Sequence, residues 1–289
     1  MFNVDSAVIM AAGTSSRFAP LSFEKPKALI TVKGEVLIER QIRQLKEAGV
    51  PEIYIVTGYK AEMFSYLEEK FGVHLLHNPD YLTRNNNASI HVARDIIRNT
   101  YICSADNYFS QNPFESAVSD CYYSAVFAEG DTKEWCMETD EDGTIRSVVI
   151  GGSNAWYMLG HAFWSETFSA RFLSILEDIY QDPATADKLW ESLYIDHIDE
   201  LPMKIRKYAD DVVFEFDTLD ELREFDPTYI DDTRSEILAA VAATLGCRQG
   251  ELTEVTAYKD DTNEAVGFRF RYNGQSYQYA YAEKVLRRI

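Results

Sequence analysis

The sequence is short of cysteine, of basic residues and of long apolar runs. Its four cysteines, Cys103, Cys121, Cys136 and Cys247, stand far apart with no C-x-x-C pair, a pattern that suggests neither a zinc site nor a disulfide framework and points to a reducing, cytoplasmic setting. Lys and Arg number 28 against 47 Asp and Glu, a net charge of −19. Such a surface repels nucleic acid and anionic membrane, so any phosphate site has to be local. The first apolar run, residues 7–12, is too short to cross a bilayer and has no basic leader, so neither a signal peptide nor stable membrane insertion is expected. The five histidines show no metal-ligand spacing and are expected in structural roles.

What is present is a chain of 289 residues, 46% apolar, enough for one large domain with a full core and a smaller second one. Through the first hundred residues β-branched runs at 4–10, 52–57, 73–77 and 101–104 alternate with helical patterns at 37–48, 61–71 and 87–97. That alternation predicts parallel βαβ units in a Rossmann-like, doubly wound, mixed but mostly parallel sheet with helices on both faces. Ligands of such sheets bind at the C-terminal ends of the strands. After about residue 120 the stretches "YYSAVFAEG", "EWCMETD", "TIRSVVIG" and "AWYMLGHAFW" read as antiparallel strands of a lid region, followed by helices over 166–180 and 184–194. The strand "DVVFEFDT" and a short helix with Thr218 as N-cap and Glu221 three residues on then close a domain spanning 1–228. Residues 229–289 form a small α+β appendage: a helix over 232–245, then the hairpin "GFRFRYNGQSYQYAY" turning at Asn273-Gly274. Its register sets Phe268, Phe270 and Tyr272 on one face with Gln275, Tyr277 and Tyr279, and an aromatic face that large must pack on something.

The loop "AAGTSSRFAPLSFEKPKAL" follows the first strand. Small residues let the backbone approach a flat or anionic ligand, and their amides can bond to it; Arg17 and Lys27 add charge. The spacing is neither G-x-G-x-x-G nor G-x-x-x-x-G-K-[ST], so dinucleotide and P-loop chemistry are not supported. The stretch instead resembles the signature A-A-G-x-x-S/T-R-x-x-P-L-T-x-x-x-P-K-x-L of the sugar-phosphate and choline-phosphate nucleotidyltransferases, with Met10 and Phe18 in place of the commoner Leu. "NPDYLTRNNNASIHVA", "SADNYF" and "FEFDTLDELREFD" are similar to the family's later segments, in the right order. The adjacent asparagines, the A-D-N-Y sequence and the E-W after an acidic loop most resemble bacterial CTP:phosphocholine cytidylyltransferases.

The resemblance implies transfer of CMP from CTP to phosphocholine with Mg²⁺, by in-line attack at the α-phosphorus, giving CDP-choline and pyrophosphate. It assigns Arg17 to the triphosphate and Lys27 to the space between the α-phosphate and the incoming phosphate. Asp106 and Asp217 become the metal carboxylates, in keeping with the one or two that Mg²⁺ takes. Ala11, Ala12, Gly13 and Thr14 become the nucleotide loop, helped at the base by Asn86, Asn87 or Ser89. A trimethylammonium group is held by aromatic faces and carboxylates, for which Trp135, Trp190, Tyr194 and Glu215 are the candidates. Trp156 and Trp164 are expected in the core. The appendage resembles the first strands of choline-kinase-like phosphotransferases through its Thr262-Asn263 pair and hairpin, but no catalytic-loop aspartate follows and no kinase activity is expected; a remnant, a packing element and a homodimer contact all stay open. Two other functions stay open as well: a nucleotidyltransferase acting on 2-aminoethylphosphonate or a sugar 1-phosphate, and a non-catalytic CTP-binding regulatory protein.

Overall fold

A computed structural model describes residues 1–261 and 264–289, so the Thr262-Asn263 pair lies outside the described residues. The chain divides into two compact units, one of residues 1–13 and 38–215, the other of residues 14–37 and 216–289.

In the first unit, seven strands among the described residues form the main sheet. They are β1 (Ser6–Ala11), β2 (Glu52–Thr57), β3 (His74–His77), β4 (Thr100–Ser104), β5 (Tyr122–Thr139), β6 (Ile145–Trp164) and β7 (Lys204–Lys207), in the order β7-β5-β6-β4-β1-β2-β3. β1 pairs parallel with both β2 and β4, and β2 with β3, whereas β6 runs antiparallel to β4 and to β5. This is the expected doubly wound, mixed sheet. The chain winds outward from β1 to β3 and then returns to β4 on the other side, so the topological switch point lies between β1 and β4.

Helix α1 (Leu37–Glu47) follows from Ile38, Ile42 and Leu45, which recur at helical spacing and are all fully buried. α2 (Tyr66–Phe71) and α3 (Asn87–Ala93) are shorter than their sequence patterns. The four antiparallel stretches after residue 120 merge into β5 and β6, two long strands whose pairing is interrupted by bulges; the start of β5 and the end of β6 are buried and their middles largely exposed. α4 (Glu166–Ile179) starts where the Ser165 hydroxyl accepts the Phe168 N–H. The helix expected over 184–194 is instead a 3₁₀ turn, Pro183–Thr185, followed by α5 (Trp190–Asp196). "DVVFEFDT" forms only the two-residue strand Val213–Phe214, paired with Tyr108–Phe109. The core centres on Trp164, Phe168, Phe172, Trp190 and Tyr194.

The second unit holds the segment 14–37 together with α6 (Leu219–Phe225), α7 (Glu236–Leu245) and a four-stranded antiparallel sheet of β8 (Thr253–Lys259), β9 (Ala265–Tyr272), β10 (Gln275–Ala280) and β11 (Val285–Arg288). Thr218 and Glu221 complete the capping box that opens α6. α7 starts later than its apolar pattern because the Ser235 hydroxyl accepts the Leu238 N–H. The hairpin turns on Asn273 at φ 48° and Gly274 at φ 72°, the pair of left-handed residues that a type I′ turn needs. Phe268 faces Tyr279 and Phe270 faces Tyr277, and both phenylalanines are buried. Buried Arg223 ties α6 to the loop before β8 by donating to the carbonyls of Leu252 (2.7 Å) and Gln249 (2.9 Å).

Candidate active site

At the switch point of the first unit, β1 ends at Ala11 and is followed by Ala12 and Gly13. Ala12 presents its carbonyl to the Tyr59 N–H at 3.0 Å. Only a glycine fits at position 58 beside it, since an added Cβ would lie 2.9 Å from the Ala12 oxygen and 2.6 Å from the Tyr81 Cβ. Gly13 has open space around it, so the backbone there is approachable. Next to it, the Ala105 N–H donates to the Met10 carbonyl (3.2 Å), which fixes the turn carrying half-buried Asp106 at the end of β4. α1 braces the far side of that turn: Gln41 Nε2 donates to the Ser104 carbonyl and Gln44 Nε2 to that of Phe109, each at 3.1 Å.

The asparagine run serves a different element from the one expected. Asn85 donates its backbone N–H to the Ala186 carbonyl, and Asn87 Nδ2 donates to the carbonyls of Thr185 (3.0 Å) and Lys188. Asn86 accepts the Trp190 N–H at 2.7 Å on Oδ1 and donates to Glu191 Oε2 at 3.1 Å. The run therefore stitches α3 to the segment before α5. The expectation that Asn87 and Ser89 reach the base does not fit this arrangement, because both are buried; Asn87 is bonded to backbone carbonyls, and the Ser89 hydroxyl receives the Asn78 amide at 3.4 Å.

The aromatic cage is corrected in the same way. Trp190 and Tyr194 are 1% and 0% exposed. Trp190 packs edge-on against Trp164 (5.0 Å between centroids) and stacks near Tyr123 (5.6 Å). These rings face the core, because α5 turns its apolar side toward the sheet. Trp164 is a core residue as expected, whereas Trp156 and Trp135 are only partly buried, Trp135 lying against the rim of the core.

Glu191, which the sequence did not single out, stands beside Tyr123 and Asn86. Its carboxylate accepts the Tyr123 hydroxyl (3.2 Å) as well as the Asn86 amide, and burial, outweighing those bonds, pushes its pKa up to about 7. Exposed Glu215 is close enough to help raise the hydroxyl pKa of both Tyr123 and Tyr157, to which burial contributes most. The Glu191 carboxyl thus lies against the Tyr123 ring. In sequence Glu191 reads as an ordinary acidic residue in the first turn of a helix, and only the fold brings it to Asn86 and Tyr123.

In the second unit Arg17 donates to Asp217 Oδ2 at 2.5 Å, and Lys27 Nζ lies 3.7 Å from Asp217 Oδ1. Arg17 is largely exposed, while Lys27 is buried with its ammonium 5.6 Å from the Phe18 ring. Thr14 opens this unit and is half-buried. Among the described residues no group of three or more His, Cys, Asp or Glu side chains gathers as a metal site. Mg²⁺ takes one or two carboxylates and completes its shell with phosphate and water, so it does not require such a group.

A small-residue loop at the switch point, followed in sequence by an arginine and a buried lysine that share one aspartate, defines a nucleotidyltransferase. Residues 7–135 match the model of the MobA-like NTP transferase domain. The chain is 31% identical over 220 residues to the choline-phosphate cytidylyltransferase of Streptococcus pneumoniae, a span of 76% of this chain and 96% of that protein. It is 36% identical over 230 residues to the 2-aminoethylphosphonate cytidylyltransferase of Lancefieldella rimae, covering 78% and 93% respectively. The solved CTP:phosphocholine cytidylyltransferase of S. pneumoniae superposes with a TM-score of 0.75 at 31% identity, over 78% of this chain and 99% of that one. The chain belongs to the cytidylyltransferases of the nucleotidyltransferase family. Among the described residues no helix is long and apolar enough to cross a membrane.

Proposed function

We propose that the chain transfers CMP from CTP to a small amine bearing a phosphonate or phosphate, and that 2-aminoethylphosphonate is its acceptor. The observation that carries the choice of acceptor is the Glu191 carboxyl, which accepts the Tyr123 hydroxyl at 3.2 Å, with Trp190 and Tyr194 withdrawn into the core. A primary ammonium makes hydrogen bonds and favours carboxylates, whereas a trimethylammonium makes none and needs ring faces. The Lancefieldella relative, named for that phosphonate, supports the same reading.

An acceptor oxygen attacks the α-phosphorus; the new O–P bond forms as the bond to the β-phosphate oxygen breaks, and pyrophosphate leaves. No covalent enzyme intermediate is needed, so charge neutralisation and alignment are the work of the protein. Lys27 meets charge that gathers at the α-phosphate, and Arg17 meets the triphosphate. Backbone amides of Ala11, Ala12, Gly13 and Thr14 face the nucleotide. Asp106 and Asp217 each have the chemistry to hold Mg²⁺, which would supply Lewis-acid stabilisation of the phosphates when bound.

A second reading keeps phosphocholine as acceptor. It is favoured by the partly buried Trp135 and by the pneumococcal relative. Pyrophosphate release from CTP with each acceptor in turn separates the two: the account expects the higher kcat/KM for 2-aminoethylphosphonate, and a preference for phosphocholine would move the cation site to Trp135. A cytoplasmic location fits both readings.

A further inference from the structure

About a quarter of this chain lies outside its match to the pneumococcal relative, although the match spans nearly all of that protein. The appendage, residues 229–289, falls in the same compact unit as the signature segment, residues 14–37. The two are joined at several points along the segment. The strand β8 runs beside the 3₁₀ turn Ser16–Phe18 that carries Arg17. Tyr281 stacks on Phe23, with ring centroids 3.8 Å apart and planes 10° from parallel. Glu24 Oε1 accepts the Ile237 N–H at the start of α7 (3.0 Å). The Thr31 carbonyl accepts from both the Tyr229 hydroxyl and Arg234 Nη1, each at 2.6 Å.

We propose that the appendage is a positioning element for the nucleotide signature, in which the Tyr281–Phe23 stack fixes the one-turn helix Leu21–Glu24 and thereby the placement of Arg17 before it and Lys27 after it. The inference rests on the cytidylyltransferase reading for its consequence, not for its geometry. The Leu21–Glu24 helix is too short to be stable alone, so its position depends on what it packs against. Phe23 lies at the surface, 43% exposed, whereas Tyr281 is only 8% exposed. A surface ring held flat against a buried one on the appendage is a contact that orients a segment more than it builds a core. Displacing Lys27 or Arg17 by a fraction of an ångström misaligns groups whose whole contribution is alignment.

The test compares Tyr281→Phe, Tyr281→Leu and Phe23→Ala in the full chain, measuring thermal midpoint, CTP affinity by calorimetry, and kcat and KM by pyrophosphate release. Tyr281→Phe keeps the stack and should match the parent protein. Tyr281→Leu keeps an apolar side chain without the ring, and Phe23→Ala alters an exposed position, so both should stay folded. Each is expected to weaken CTP binding or lower kcat by about tenfold or more, with the acceptor KM little changed. Equal CTP affinity and kcat in all three, or losses that merely track the fraction unfolded, would overturn the proposal. Should the parent protein release no pyrophosphate with any acceptor, the cytidylyltransferase reading fails on its own, while the change in CTP affinity still decides this one.

Discussion

Asn86 is bonded to Glu191 across a hundred residues of chain: its amide donates to the carboxylate at 3.1 Å while its oxygen takes the N–H of the preceding tryptophan at 2.7 Å. One side chain therefore joins the segment expected to face the base to the helix that carries Glu191. Removing it should disturb the acceptor more than the nucleotide. Asn86→Ala is expected to raise the acceptor KM by about tenfold, on the scale of one lost charge-assisted hydrogen bond, with the KM for CTP rising less; steady-state kinetics with each substrate varied in turn checks this.

The ionisation of Glu191 gives a pH test with a definite sign. With its pKa pushed up to about 7 by burial, the protonated form stabilises the fold. That contribution is complete below the ordinary carboxylate value and is lost as pH rises through the folded value. Glu191→Gln should therefore raise the thermal midpoint relative to the parent at about pH 8 but not at about pH 5. Acceptor kcat/KM in the parent should climb as Glu191 ionises, and the same substitution should lower it at the alkaline end.

Lys27→Ala should lower kcat more than it weakens CTP binding, because the proposed mechanism has the lysine meet charge that develops in the transition state. Arg17→Ala should affect both parameters, since the triphosphate carries its charge in the ground state too. A pure KM effect at Lys27 would contradict its role.

Asp106→Ala should abolish Mg²⁺-dependent turnover with the fold intact, as the turn that carries Asp106 is held by backbone and α1 hydrogen bonds. Circular dichroism and a Mg²⁺ titration of activity check the two halves of that statement.

The tryptophans separate packing from recognition. Trp190→Ala removes a ring buried against Trp164 and Tyr123 and should cost about 3–5 kcal/mol of stability, visible in chemical denaturation. Trp135→Ala should leave stability nearly unchanged. With a primary ammonium as acceptor its effect on acceptor KM should also be small, against the loss of about 1–2 kcal/mol expected of a desolvated cation–π wall.

The order of strands and helices was readable because apolar period and turn residues act locally: Ile38, Ile42 and Leu45 mark α1, and Asn273-Gly274 marks the hairpin. Arg17 and Lys27 come together with Asp217 in the second unit, a meeting that the spacing of the signature, which ends before residue 30, does not contain. Two other things were not local. The burial of Trp190 depends on which side of α5 meets the sheet, and its neighbours in "KLWESL" do not fix that. Glu191 becomes distinctive only through Asn86 and Tyr123, residues brought to it from two other elements. The aromatic residues of the appendage had to pack on something, and only the structure shows that Tyr281 packs on Phe23 of the signature segment.

The most direct measurement is pyrophosphate release by the purified full-length chain with CTP and Mg²⁺, comparing 2-aminoethylphosphonate, phosphoethanolamine and phosphocholine, for the parent and for Glu191→Gln. The account predicts turnover with CTP above the other nucleoside triphosphates, the highest kcat/KM for 2-aminoethylphosphonate, and a loss in Glu191→Gln that is larger for the two primary amines than for phosphocholine. Preference for phosphocholine together with indifference to Glu191→Gln would contradict it.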